Sequence, residues 1–140
     1  MVKVNNGPRN EMVLEVLLLL YAAASLLHFT HNAELVQAYP NLPSWISRSS
    51  VYLTWLVITA VGALGYLLHR YRPQVVGFVL LCIYAGVGLD GLLHYTRAPI
   101  HSHSYGMNFT IWFEAIVASI LLMYLLLKAK KLTSQHRWCR

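Results

Sequence analysis

Four runs of apolar residues, each close to the length of a bilayer crossing, make up most of this chain of 140 residues. They extend from about Met12 to Val36, Val51 to Leu68, Val75 to Tyr95 and Tyr105 to Leu127. A hydrocarbon core of ordinary thickness asks for ~20 apolar residues in a helix, and each run meets or approaches that length. The breaks between them are chemically explicit. Tyr39-Pro40-Asn41-Leu42-Pro43 ends the first run, because proline cannot continue a helix and pushes its predecessor out of helical geometry. His69-Arg70-Tyr71-Arg72-Pro73 closes the second and Arg97-Ala98-Pro99 the third. Ser44 to Ser50 reads as a short interfacial segment, with Trp45 suited to the headgroup level. The pattern predicts an all-α integral membrane protein: four transmembrane helices in an antiparallel bundle, one membrane domain over residues 1–140, and a basic tail over 128–140.

Composition agrees with that reading. The chain is 57% hydrophobic and only 11% charged, too few charges to cover a water-facing surface of normal composition. A net charge of +6 would suit nucleic acid if it were clustered on one polar face. Instead the basic residues sit at the ends of apolar runs. Lys3, Arg9, Arg70, Arg72, Lys128, Lys130, Lys131, Arg137 and Arg140 fall on one side of the predicted membrane, and only Arg48 and Arg97 on the other. The positive-inside rule then places both termini in the cytoplasm. The expected setting is a bacterial inner (cytoplasmic) membrane, with the lipid bilayer as the main partner and no nucleic acid. A homo-oligomer or a larger membrane complex is compatible with the chain. Lys3 and Arg9 before an apolar run that reaches Ala22-Ala23-Ala24 resemble a signal peptide, but the run continues to Leu27 and is read as a retained helix. Cys82 lies in an apolar run and Cys139 in the tail, so neither a disulfide between them nor a thiolate metal site is expected.

The chemistry is concentrated in polar residues that interrupt these runs. Gly88-Leu89-Asp90-Gly91-Leu92-Leu93-His94 places an aspartate and a histidine one helical turn apart inside the third run. An ionisable residue within a span is costly and points to a functional site with partners nearby. At the helical rise, Asp90 lies ~8 Å inside the outer end of its helix, His28 ~12 Å inside the first, and Glu114 ~13 Å inside the fourth. His31 shares a face with His28, and His101 and His103 fall in the outer loop. His103, Met107, Thr110 and Glu114 form one stripe of the fourth helix if that helix starts early. Inward of Glu114, only Glu11 and Glu15 near the far edge are polar enough to count, so no path through the membrane is expected. Gly88 and Gly91 leave room around the Asp90 carboxylate.

Imidazoles with carboxylates on facing helices are the donor set of a metal site in a helix bundle. The expected ligands are His28, His31, Asp90 and His94, joined by His101, His103 and Glu114. Zinc fits this set first; copper or iron also fit. A zinc version would hydrolyse or isomerise a lipid-like or small hydrophobic substrate with Glu114 or Asp90 as base, and a copper or iron version would handle oxygen or a quinone-like molecule. Two other functions remain open: a b-type haem protein with His28 and His94 as axial ligands, and a non-enzymatic metal- or proton-handling accessory subunit.

Asp90-x-x-x-His94, with His101 or His103 following, is locally similar to the Asp-x-x-x-His metal pair of a membrane subunit of particulate methane and ammonia monooxygenases. The similarity covers a few residues and implies a metal at Asp90 and His94, with nothing about substrate. The histidine boxes of membrane fatty-acid desaturases are absent, since His28-Phe29-Thr30-His31 is a single pair.

Overall fold

The computed structural model describes residues 8–71 and 75–137, with side chains described for 11–71 and 75–130. Lys3, Arg72, Pro73, Cys139 and Arg140 lie outside the described residues, as do the side chains of Arg9, Lys131, His136 and Arg137. Among the described residues there are helices and the turns between them, and no strand. The helices are α1 (Pro8–Glu34), α2 (Arg48–Tyr71), α3 (Val75–Val87), α4 (His94–Arg97) and α5 (Tyr105–Arg137). Short 3-10 turns occupy Val36–Ala38, Asp90–Leu93 and Ile100–Ser102. Four segments are long and apolar enough to cross a membrane: Glu11–Glu34, Arg48–Tyr71, Val75–Arg97 and Tyr105–Lys130.

Helix α2 packs on α1 and α3, and α5 packs on α1 and α3, so the four spans close into a ring. Its centre is made by Leu14, Tyr21, Ala24, Leu81, Tyr84, Ala85, Val117, Ala118, Leu121 and Leu125. The outward faces are as apolar as the centre. Leu19 is 73% exposed and Val75 78%, and Leu53, Val57, Ile116 and Met123 also point outward. An uninterrupted apolar exterior of this kind is a surface for lipid rather than for water.

Local chemistry fixes the helix ends. The second helix starts at Arg48, three residues before the expected Val51, because Ser47 and Ser50 cap it reciprocally. The Ser50 backbone N–H donates to Ser47 Oγ (3.2 Å) and the Ser47 N–H to Ser50 Oγ (2.9 Å). What reads as an interfacial segment is therefore partly the first turn of α2. Ser104 caps α5 by accepting from the Met107 N–H at 3.2 Å. At its other end α5 does not stop at Leu127; it carries the basic residues onward as helix to Arg137.

The largest departure from expectation is in the third span. A continuous helix to Tyr95 is interrupted: α3 ends at Val87, Gly88 and Leu89 form a turn, and a 3-10 segment begins at Asp90. The cause is contact. Gly88 is wedged against Tyr21 and Ala118, leaving no space for a side chain. The Tyr21 hydroxyl donates to the Tyr84 carbonyl (3.1 Å), one of the last four of α3, which the helix itself leaves short of donors. Non-helical backbone at membrane depth is tolerated where it is enclosed by protein or lines a cavity, and here it does both.

Candidate functional site

Polar residues of α1 and α5 meet along one seam. Tyr21, Ser25, His28 and Asn32 recur at helical spacing on the bundle side of α1, and the first three are fully buried. From the other side come Glu114, Thr110 and Met107 of α5, all buried, with His103 just before the helix. The stripe expected on the fourth helix is present as buried groups, although His103 belongs to the preceding loop.

His28 sits at the crossing of these two rows. Its Nδ1 is 3.4 Å from Thr110 Oγ1, and Thr110 spends its own proton on the Met107 carbonyl (3.1 Å). Thr110 can therefore only accept from His28, which puts the proton of the neutral imidazole on Nδ1. The other nitrogen, Nε2, takes a hydrogen bond from Asn32 Nδ2 (3.0 Å) and faces Glu114 Oε2 at 3.7 Å. Gly91 packs against this edge of the ring, since a Cβ built there would stand 3.3 Å from Nε2. Neither oxygen of Glu114 has a hydrogen-bond partner among the described residues, and neither does Asn32 Oδ1. A half-turn of the Asn32 amide exchanges donor for acceptor. Asn32 can thus serve His28 in either protonation state.

A second cluster covers the first. The connection after α1 turns at Asn41, whose positive φ of 56° suits asparagine, and Asn41 Nδ2 donates to the Arg97 carbonyl (2.8 Å). This clip joins the two loops at one end of the ring. Tyr39 is thereby folded inward, 4% exposed, with its ring 4.8 Å from that of His94 and its hydroxyl 3.0 Å from His31 Nδ1. Burial pushes the Tyr39 phenol well above its ordinary range, so it donates rather than ionises. The rings of His28 and His94 are 6.0 Å apart, and those of His94 and His103 6.3 Å. His103 Nδ1 donates to the Pro99 carbonyl (3.1 Å), while its buried Nε2 has no partner among the described residues.

Beside this cluster is a cavity of about 240 Å³. His28, Asn32, Asp90 and His94 supply its polar wall; Phe29, Tyr39, Leu42, Ile46 and Val51 supply the apolar one, with exposed Trp45 and Thr54 at the rim. Asp90 is exposed, faces this space, and belongs to none of the ion pairs found among the described residues.

The expected ligands are therefore distributed unevenly. His28, Asp90 and His94 share the cavity wall, Glu114 stands behind His28, His31 is tied to Tyr39, and His103 closes the far side of His94. His101 is exposed and stands apart. Among the described residues, no three His, Cys, Asp or Glu side chains converge as the donor set of one metal ion. Asn32 and Gly91 lie against the Nε2 edge of His28, whose ring centroid is 6.0 Å from that of His94. Glu34 is at the surface, held by Arg48 (2.7 Å) and Tyr52 (2.7 Å).

On α1, Tyr21 and Ser25 continue the polar row among buried positions. Their signal was in the sequence, as Tyr21, Ser25, His28 and Asn32 repeat at intervals of four, three and four. Tyr39 carried no comparable signal, since a tyrosine before a proline reads as a loop residue.

Compared with protein-family models, with curated proteins and with solved structures, the chain finds no match.

Proposed function

We propose that this is an integral membrane protein in which His28 and Glu114 move a proton on a small amphipathic molecule bound in the adjoining cavity. One observation carries the reading: a fully buried carboxyl group, with no partner at hydrogen-bond distance among the described residues, stands 3.7 Å from the unprotonated nitrogen of a histidine that lines a cavity. An isolated buried charge is expensive, and a shared proton removes that expense. With one proton between them, the pair is either carboxylic acid and imidazole or carboxylate and imidazolium. His28 is the member that meets the ligand. From Nε2 it gives the shared proton, drawn from Glu114, to one position of the ligand. It then recovers a proton at the same nitrogen from a second position and returns it to Glu114. The net change is an isomerisation, with no oxidant, reductant or water consumed. Asn32 follows the change by turning its amide, and Thr110 keeps Nδ1 protonated throughout.

Such chemistry leaves a direct trace. Protein reconstituted into vesicles of its host's extracted membrane lipids and incubated in deuterium oxide should place deuterium on carbon in an extractable lipid-like compound. Glu114→Gln and His28→Gln should abolish that labelling. Identical mass spectra from wild type and both variants overturn the proposal. In this reading the termini and the α2–α3 loop lie on the cytoplasmic side, following the basic residues, and the cavity opens toward the opposite leaflet.

A second reading is favoured by the unpartnered Nε2 of His103 and the run of imidazoles from His28 through His94. These nitrogens, with Asp90 and Glu114, are donors suited to zinc, or to copper or iron, after a modest closing of the cluster. Elemental analysis of the purified protein separates the two readings, since a transition metal near one equivalent supports this one and only trace metal rejects it.

A further inference from the structure

The cavity has a charge preference as well as a shape. Its lining contains one carboxylate, Asp90, and no lysine or arginine. Asp90 takes part in none of the ion pairs among the described residues, although the acids Glu15 and Glu34 do. The imidazoles at its side, His28 and His94, already have their own partners, through Thr110 and Asn32 for the first and through the face of Tyr39 for the second. No described residue neutralises Asp90 through an ion pair. The same cavity is lined by the aromatic side chains of Phe29, Tyr39 and Trp45. A carboxylate and aromatic side chains that line one small cavity make an environment that selects an organic cation. The ring faces attract positive charge, and the carboxylate completes a charge-assisted hydrogen bond.

We propose that the molecule held in this cavity is an organic ammonium ion: a small amine whose nitrogen lies against Asp90 and whose hydrocarbon part fills the space among Phe29, Leu42, Trp45 and Ile46. This rests on the reading that the cavity takes a small amphipathic molecule, and it adds the charge of that molecule. A volume of about 240 Å³ sits just below the range that holds drug-sized ligands, so the body of the amine is short. A neutral alcohol of the same length would leave the Asp90 charge without a counterion. A carboxylic acid would bring like charges together. Of the three, the amine alone brings the charge that Asp90 lacks.

Hexylammonium and 1-hexanol are the probes. Full-length protein in discs of zwitterionic lipid, with protein-free discs as the baseline, is titrated calorimetrically with each. Hexylammonium should bind at least about tenfold tighter than hexanol, equivalent to about 1.4 kcal/mol. Asp90→Asn should remove the difference and Asp90→Glu should keep it. Because Asp90 is exposed and makes no ion pair among the described residues, neither change threatens the fold, and circular dichroism of both variants verifies this. Glu114→Gln should keep the amine preference while losing deuterium transfer, which separates this inference from the proton-transfer reading. Equal affinities for the two probes in the wild-type protein overturn the inference. So does a preference that survives Asp90→Asn, or one that zinc chloride abolishes at stoichiometric concentration, which would assign the carboxylate to a metal ion.

Discussion

Gly88 lies so close to Tyr21 that a Cβ at the glycine would stand 2.5 Å from the phenol oxygen and 2.6 Å from Ala118. No real atom fits there. The close approach lets the Tyr21 hydroxyl reach the Tyr84 carbonyl and ends α3 where the cavity needs Asp90. Gly88→Ala should therefore cost about 1–3 kcal/mol through overpacking. Gly86, two residues earlier in the helix, is the natural control, because a methyl group added to it would meet nothing within 4 Å. Its replacement by alanine should be neutral or stabilise by up to about 1 kcal/mol, from helix propensity alone. Thermal unfolding of both variants in detergent checks the contrast.

Glu114 should behave as a residue kept against the interest of stability. It is 1% exposed and its oxygens have no hydrogen-bond partner among the described residues. A buried polar group left unsatisfied costs about 1–3 kcal/mol. Glu114→Leu should recover stability of that order and raise the unfolding temperature, while ending deuterium transfer. A fall in stability would show that the carboxyl group is held by interactions that matter to the fold.

Tyr39 closes the site through one hydrogen bond and a set of ring contacts, and the two can be separated. Tyr39→Phe keeps the contacts with His94 and loses the bond to His31, for about 0.5–1.5 kcal/mol. Tyr39→Ala loses both, for about 3–5 kcal/mol. The phenol also carries a pH signature. Its value in the fold lies above the unfolded value of about 10, so its contribution is complete below pH ~10 and is lost progressively above it. The stability advantage of the wild-type protein over Tyr39→Phe should hold up to pH ~10 and fall only above it, as read from paired denaturation curves on both sides of that value.

Ion pairs on the outside should count for little. Arg48 and Glu34 meet at 2.7 Å, but their side chains are 65% and 42% exposed. Arg48→Ala should cost no more than about 1 kcal/mol, and raising the salt should shrink the cost further. A larger loss that resists salt would mean that the link between α1 and α2 depends on this pair.

The architecture was readable because a bilayer crossing imposes a length and a polarity that few sequences meet by accident. Four spans, their proline breaks and the buried positions of His28, Asp90's neighbours and Glu114 all follow from that. Local detail was harder. The reciprocal capping by Ser47 and Ser50 was visible as a spacing, yet the interfacial reading of Trp45 overrode it. The break at Gly88 could not be foreseen from α3 alone, since it depends on Tyr21 and Ala118 arriving from two other helices. The metal reading shows a different limit. Helical periodicity places histidines and carboxylates on inward faces, but the loops decide which nitrogen is spent. The Tyr39 loop occupies His31, Pro99 occupies one nitrogen of His103, and His101 is left outside.

The clip between Asn41 and Arg97 has a consequence for how binding should be quantified. With the two loops tied together and Tyr39 folded beneath them, the rim that remains is made by Trp45, just before a membrane-length helix, and Thr54 within it. On the proposed membrane placement, a ligand arriving there comes out of the lipid phase. Its working concentration is set by partitioning, which multiplies the aqueous amount for every added methylene. Affinities expressed per mole of lipid, rather than per litre of buffer, are then the ones that compare one amine with another.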